Sequence, residues 1–519
     1  MPLSGPPLDQ PVDLRRLLRT GLETKPDEMA LVSAEGGHTW RELDRASDRL
    51  AANMLELGVR RGDRVASLMP NRNALIIHYL ACFKAGFVAT PPNYRYMPPE
   101  IDHALEVSEA SILLAHVERD QDLAASQRVG RLPLGVIRYG AGNGNRPRFE
   151  ELVQRAPRHP DVPAPSAADP AIIFFTSGST GKPKGVTHTF ETLGSLLVAW
   201  REGSETTAHD IVLPGCSASH IGAFLLSFAS LWAGARVLVA RTFDGGELLP
   251  LLREHRPTVL VMLPAALITL VRDHAASRDD FASIRLCVSG GDKVSAELER
   301  EFTTLAGFPI EESYGMTEIG ICNLNPSGAN KLGSVGTFNP GYQGSIRDEG
   351  GTELPTGAEG RLWISSPSNM VGYWNRPDAT AETIRAGWLD TGDVMRADED
   401  GYLWFCGRKK QIIIHDGSNI CPQEVEEALL EHDAVESAGV VGIHDLVHGE
   451  NVRAYITLKE GAARPSSQEL IRFARARVGY KAPEEIVVLD DMPLNATGKV
   501  DRVALKRLAE ASLAASVAT

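Results

Sequence analysis

Cysteine is sparse in this sequence. Six occur in 519 residues, at Cys82, Cys216, Cys287, Cys322, Cys406 and Cys421, and no two stand in a C-x-x-C spacing. That argues against a disulfide framework or a zinc knuckle and fits a reducing compartment, with most of the thiols acting as small core hydrophobes. Long apolar runs are missing too. The longest, around Val259–Val271, is broken by Pro264 and is too short to span a bilayer. The proline-rich start, Met1–Arg15, carries no secretory apolar stretch, so a cytoplasmic protein is expected. Basic residues are in deficit, 53 Lys and Arg against 67 Asp and Glu, for a net charge of −14. This disfavours nucleic acid or an anionic membrane as a partner. There is no repeat of solenoid period and no Gly-x-Ser-x-Gly nucleophile elbow.

What is present is an ordinary globular composition, 43% hydrophobic and 23% charged. The length suits roughly three or four domain-sized units. Short β-branched runs recur at Val65–Met69, Ile112–Ala115, Ile172–Phe175, Val259–Leu263 and Ile284–Val288, with helical patterns between them. Leu43, Ala46, Leu50, Met54 and Leu57, for example, share one helix face. Alternating strands and helices predict an α/β body with largely parallel sheets. The five prolines between Arg155 and Pro170 predict a surface linker. The last hundred or so residues differ. Pro422 can open a helix with Val425, Ala428 and Leu429 on one face, Ala454–Leu458 reads as a strand, and Ser466 with Glu469 forms a capping box. These predict a small α+β unit, with Ser512–Thr519 as a fraying tail.

The most informative segment is Ile172-Ile-Phe-Phe-Thr-Ser-Gly-Ser-Thr-Gly-Lys-Pro-Lys-Gly185. A hydrophobic strand runs into a loop of hydroxyls, glycines and lysines. Glycine lets backbone N–H groups approach a ligand, the hydroxyls can donate to phosphate oxygens, and Lys182 and Lys184 add charge. A polyphosphate cradle is the chemistry this pattern suits. It is not a Walker A loop, because Gly181-Lys182 is followed by Pro183.

This loop closely resembles the signature of the adenylate-forming superfamily, which includes acyl-CoA and aryl-CoA synthetases, nonribosomal adenylation domains and firefly luciferase. Further motifs follow in the family's order over nearly the whole chain: Leu213–Gly222 around His220, Ser289–Asp292, Glu312-Ser-Tyr-Gly-Met-Thr-Glu318, Gly387–Asp393, Gly407-Arg408 and Pro493–Lys499. The resemblance implies an α/β large N-terminal body, 1–409, that binds ATP and the acid. A small mobile α+β domain, 410–519, would carry the catalytic lysine. It implies that Thr176, Ser177, Gly178, Ser179, Thr180, Gly181 and Lys184 bind phosphate, and that Gly290, Gly291 and Asp292 lie beside the adenine, with Asp292 either accepting from the adenine amino group or capping the next helix. In the next motif, Glu312, Ser313 and Gly315 belong to the nucleotide site, Tyr314 stacks on adenine, Thr317 binds phosphate and Glu318 holds Mg²⁺. Asp393 and Arg408 meet the ribose, and Lys410 is the hinge. His220 borders the carboxylate pocket, Gly417 lines the pantetheine path, and Lys499 is the lysine of adenylation.

The implied reaction is ATP-dependent formation of an acyl-adenylate with release of pyrophosphate, then thioester formation with CoA. Catalysis rests on positioning and charge, with no protein nucleophile. One stretch departs from the family pattern. Many members carry a Gly-Gly pair after the hinge, where this chain reads Ile414-His-Asp-Gly-Ser-Asn-Ile420. A carrier-protein phosphopantetheine arm or a partner enzyme therefore stays open as acceptor. Ile221, Gly222, Gly315, Gly320 and Ile321 would line a roomy apolar pocket for a fatty, alicyclic or aryl acid. Outside ligation stand a catalytically silent nucleotide-binding relative, against which Glu318, Asp393 and Lys499 speak, and a kinase, which would release ADP. Whether the chain is a monomer or a homodimer is open at this stage.

Overall fold

The computed structural model describes residues 3–141, 147–158, 164–177, 183–274, 276–291, 294, 296–408, 413–420, 422–493 and 500–517. Two seven-stranded sheets build the large body. One runs Glu311–Glu312, Leu286–Ser289, Val259–Met262, Ile211–Gly215, Arg236–Val239, Met29–Ser33, Gly36–Thr39, all parallel except the last pair. The other runs Gly372–Tyr373, Pro183–Thr189, Pro170–Ser177, Val88–Thr90, Arg64–Leu68, Ile112–His116, Val136–Tyr139. It is parallel from Pro170–Ser177 onward, while Pro183–Thr189 and Gly372–Tyr373 are antiparallel.

The helices Asn73–Ala85 and Ile221–Ala233 are buried on nearly every face, in a core fed by both sheets. That location explains their sequences, which are apolar all round instead of striped. Tyr79 and Phe224 meet edge-on at 5.3 Å, and Phe224 stacks on Phe228 at 4.4 Å. The expected amphipathic helix is Trp40–Glu56, opened by a full capping box between Thr39 and Glu42.

The expectation of largely parallel sheets holds for these two. A six-stranded antiparallel sheet also forms, from Leu3–Ser4, Gln343–Arg347, Gly360–Ser365, Trp388–Ala397, Ile384–Arg385 and Leu403–Arg408. Its strands mix polar and apolar residues, so they carry no continuous apolar run to mark them.

The small C-terminal domain is a five-stranded sheet of Ser418–Ile420, Ile413–His415, Gly449–Leu458, Val435–Asp445 and Glu485–Val488. The helices Pro422–Leu430 and Ser467–Val478 pack on one face, through Val425, Leu429, Leu470 and Ala474. The helix Arg502–Val517 packs on the other, through Leu505 and Ala509 against Val441, Ile443 and Tyr455. The tail expected to fray is therefore helical as far as Val517, because Leu505 and Ala509 anchor the helix that leads into it. Ser466 caps its helix by accepting from the Glu469 N–H at 3.2 Å. Cys82, Cys287 and Cys322 are buried, whereas Cys406 is exposed. Among the described residues, no helix is long and apolar enough to cross a membrane.

Candidate active site

The strands Leu286–Ser289 and Glu311–Glu312 end side by side, and their parallel register pairs Ser289 with Glu312. Strand ends of this kind are where open α/β sheets receive ligands. The Ser313 N–H donates to the Ser289 carbonyl at 2.9 Å, closing the two ends together. A Cβ on Gly290 would lie 2.5 Å from Ser313 Oγ, so only glycine fits there. The Glu312 carboxylate accepts from the Val294 N–H at 3.4 Å. Asp292 lies outside the described residues.

Immediately beyond, the Tyr314 hydroxyl donates to Asp393 Oδ2 at 2.7 Å. Both are buried. Burial, with the Asp393 carboxylate beside it, pushes the Tyr314 hydroxyl well above its ordinary pKa, so it stays a donor. Asp393 in turn faces Arg408 across the antiparallel register of Trp388–Ala397 and Leu403–Arg408. Three residues from distant motifs thus meet at one place.

The strands on either side of the segment expected to bind phosphate form an antiparallel pair. Pro170–Ser177 pairs antiparallel with Pro183–Thr189, with Thr176 opposite Lys184 and Ser177 opposite Pro183. Gly178, Ser179, Thr180 and Gly181 lie outside the described residues. The Lys184 ammonium stands 4.5 Å from the Tyr373 ring, and the Tyr373 hydroxyl donates to Glu318 Oε1 at 2.8 Å. Tyr373 therefore links this strand pair to the carboxylate expected to hold Mg²⁺. Burial, reinforced by Glu318, raises the pKa of Tyr373 and keeps it protonated. The backbone around Glu318 is fixed from two sides. His188 Nε2–H donates to the Thr317 carbonyl at 2.9 Å, and the Met370 N–H donates to the Glu318 carbonyl at 2.7 Å. Burial lowers the pKa of His188 to about 4, so its imidazole is neutral.

His220 stands at the N-terminus of Ile221–Ala233. The Asn93 amide donates to its Nε2 at 3.2 Å, leaving the ring proton on Nδ1. Burial, and then the Arg95 guanidinium, lower its pKa to about 4. A Cβ added to Gly222 would meet nothing within 4 Å, so open space adjoins His220. Gly315 and Gly320 differ from the expectation that they widen a pocket. A Cβ on Gly315 would reach the Gly320 carbonyl oxygen at 2.2 Å, and one on Gly320 would reach Leu196 at 2.3 Å. Both permit close packing and add no free volume.

The small domain reaches this same region. Tyr480 accepts from the Asn93 amide at 3.4 Å, and the Arg95 guanidinium lies 4.0 Å from the Tyr480 ring while donating to Ser418 Oγ at 2.9 Å. Asp416 and Gly417 form the two-residue turn between Ile413–His415 and Ser418–Ile420, with φ of 48° and 66°. Both are left-handed, as a type I′ turn demands. A Cβ on Gly417 would come within 2.4 Å of Leu263, so the turn is seated tightly on the large body. Lys481 completes the junction, 2.8 Å from Glu100 of the large body and 2.8 Å from Glu424 of its own domain.

Lys410 and Lys499 lie outside the described residues. The segment 494–499 is bracketed by a bond from the Asp501 N–H to the Pro493 carbonyl at 2.8 Å. Met492 and Val500 on its flanks join the cluster on the sheet face of Arg502–Val517, opposite the face that carries Ser467–Val478. Sequence reasoning missed Asn93, Arg95, Tyr373 and Tyr480. Asn93 and Arg95 follow the strand Val88–Thr90, and a loop after a parallel strand is a site-bearing position. Tyr373 and Tyr480 carry no spacing signal.

The sequence model of the family described as "AMP-binding enzyme" matches residues 18–374, and that of the "AMP-binding enzyme C-terminal domain" matches residues 424–499. A feruloyl-CoA synthase of Amycolatopsis is 34% identical over 476 residues, covering 90% of this chain and 93% of its own length. Among solved structures, the amide bond synthetase McbA of Marinactinospora thermotolerans superposes with a TM-score of 0.87 at 27% identity, over 95% of this chain and 99% of its own. A double mutant of o-succinylbenzoate CoA synthetase from Bacillus subtilis, bound to a product analogue, gives 0.84 at 29% identity, over 96% and 98%.

Proposed function

The chain belongs to the AMP-binding family of adenylate-forming enzymes, and from that premise we propose that it joins an aryl or medium-length fatty acid to CoA. It is an enzyme of the acid–thiol ligase class, acting through ATP-dependent activation of a carboxylic acid. In the first step a carboxylate oxygen attacks the α-phosphorus of ATP and the bond to pyrophosphate breaks. In the second a thiolate sulfur attacks the acyl carbon, the bond to AMP breaks, and the thiol proton passes to solvent.

Tyr314 and Asp393 hold adenine and ribose in this reading, Arg408 assists, and the strand pair with Lys184 receives the phosphates. Glu318 suits Mg²⁺, since a carboxylate held by Tyr373 is the hard oxygen donor that ion selects, and the bound ion would neutralise charge on the departing pyrophosphate. Neutral His220 borders the acid, whose apolar body would occupy the space beside Gly222.

The observation that carries the reading is the convergence at His220. Asn93 ties it to Tyr480 of the small domain, and the Asp416–Gly417 turn is seated nearby on Leu263. This arrangement seats the glycine turn on the large body. It suits the thioester-forming half-reaction. Adenylation would then need the small domain to turn about residue 410 and bring in Lys499, a domain-rotation gate. Transfer of the adenylate to an amine is the competing reading, favoured by the likeness to the amide bond synthetase.

One experiment separates them: pyrophosphate release against a panel of hydroxycinnamic, benzoic, alicyclic and fatty acids, with and without CoA. Pyrophosphate and AMP with acyl-CoA as product are expected. Acyl-AMP without thioester in the presence of CoA would overturn the acceptor, and silence with every acid would overturn the activity.

A further inference from the structure

Among the described residues, His415, Asp416 and His448 form the one group of three whose potential metal-ligand atoms all lie within 4.8 Å of one another. All three belong to the small domain, and none has a part in the chemistry above. His415 closes the strand Ile413–His415 and is buried. Its Nδ1 lies 2.7 Å from the Glu450 carbonyl oxygen. A carbonyl only accepts, so Nδ1 carries the proton, and Nε2 is left as the outward-facing nitrogen. That nitrogen faces oxygen on two sides, Asp416 Oδ2 at 3.7 Å and Glu484 Oε1 at 3.4 Å. A ring nitrogen set between two carboxylates marks a place where positive charge, a proton or a metal ion, is stabilised. His448 adds a second imidazole, with Nδ1 2.8 Å from Asp416 Oδ1 and its ring stacked on His415 at 5.0 Å and 27°.

We propose that His415, Asp416 and His448 bind a divalent transition cation of the zinc type, with the Glu484 carboxylate beside it. Two imidazoles and a carboxylate suit such an ion, whereas Mg²⁺ and Ca²⁺ select oxygen. On a tetrahedral ion the ligand atoms stand about 3.4 Å apart, so no pair closes by more than ~1.4 Å, while Asp416 Oδ1 and His448 Nδ1 separate by ~0.6 Å. Asp416 and His448 lie on turns with partly exposed side chains and can make that movement. The Glu450 carbonyl behind His415 is the kind of outer partner that fixes a ligating imidazole.

The position gives the ion a role. Asp416 is the first residue of the Gly417 turn, and its N–H already donates to the His448 carbonyl at 2.9 Å. A cation on both side chains would clamp that turn to the neighbouring one and stiffen the segment seated on Leu263. The site stands independently of which acid or acceptor the enzyme uses.

The test uses the full-length protein, stripped with a chelator and then titrated with Co²⁺, whose visible d–d bands report a protein ligand field. Wild type is compared with His448→Asn and Asp416→Asn, each checked for folding by circular dichroism. One equivalent of Co²⁺ with visible bands, displaced by Zn²⁺ and not by Mg²⁺, is expected. Affinity should fall at least about 100-fold in each variant, beyond the loss typical of an outer-shell change. No visible band in wild type, or equal affinity in wild type and both variants, would overturn the site.

Discussion

Replacing Glu100 by Gln tests whether the junction holds the small domain in the orientation described here. Lys481 is almost wholly buried, with its ammonium 2.8 Å from Glu100 across the junction and 2.8 and 3.0 Å from the two oxygens of Glu424 within its own domain. Glu100 also accepts from the Met97 N–H at 2.9 Å to cap the helix Pro98–Ser108. The Gln amide oxygen can keep that cap, but its NH₂ is then turned toward the Lys481 ammonium, so the substitution removes the charge and leaves two donors facing across the junction. Lys481 retains Glu424 and is not stranded, which spares the 3–5 kcal/mol or so of a fully broken buried pair. What is lost is one charged contact, about 1.5–3 kcal/mol, and it is lost only when the domains are docked. The docked population should fall about ten- to hundredfold relative to a rotated one. Two single-turnover measurements read this out. Thioester formation from supplied acyl-adenylate and CoA should slow at least about tenfold, while acid-dependent pyrophosphate exchange should hold or rise. Equal slowing of both, or no change in either, would refute the assignment of the pair to one orientation.

Four further outcomes are expected. Lys499→Ala should abolish adenylation and spare thioester formation from supplied acyl-adenylate, and equal loss of both would count against two orientations. Tyr373→Phe removes the hydroxyl that donates to Glu318 and should lower kcat for adenylation about 10- to 100-fold, with a raised Mg²⁺ requirement, so an unchanged Mg²⁺ titration would contradict the link. Gly222→Phe fills the open space beside His220 and should raise KM for bulky aryl acids far more than for short ones, which parallel KM series would reveal. His220, with its pKa lowered to about 4, loses its proton well below neutrality, so KM for the acid should show no inflection between pH 5.5 and 8. An inflection near pH 6.5 that His220→Gln removes would refute that electrostatic picture.

Residues close in sequence and fixed by local chemistry were legible in advance. The strand into the phosphate loop, the helix Trp40–Glu56 and the Pro422 helix follow from period, capping and proline placement. The Asp416–Gly417 turn is also locally encoded, because Asp-Gly is a pair that accepts two left-handed residues. The antiparallel pairing of Thr176 with Lys184 across the phosphate loop was not legible, since it is a sheet property. Gly315 and Gly320 show the opposite limit. A glycine in the sequence allows either open space or close packing, and only neighbours such as Leu196 decide between them.

The sequence by itself determined the chemistry: motifs of hydroxyls, glycines, carboxylates and lysines in an order that resembles one family, whose sequence models match most of the chain. Tertiary structure alone decided which distant groups meet: Tyr314 with Asp393, Tyr373 with Glu318, Asn93 between His220 and Tyr480, and Lys481 between two glutamates of different domains. The physical reason is range. Turns, caps and helix faces depend on neighbours a few residues away, which the chain order specifies directly. Hydrogen bonds and ion pairs between remote segments exist only after the sheets and helices have packed, so their partners cannot be read from spacing.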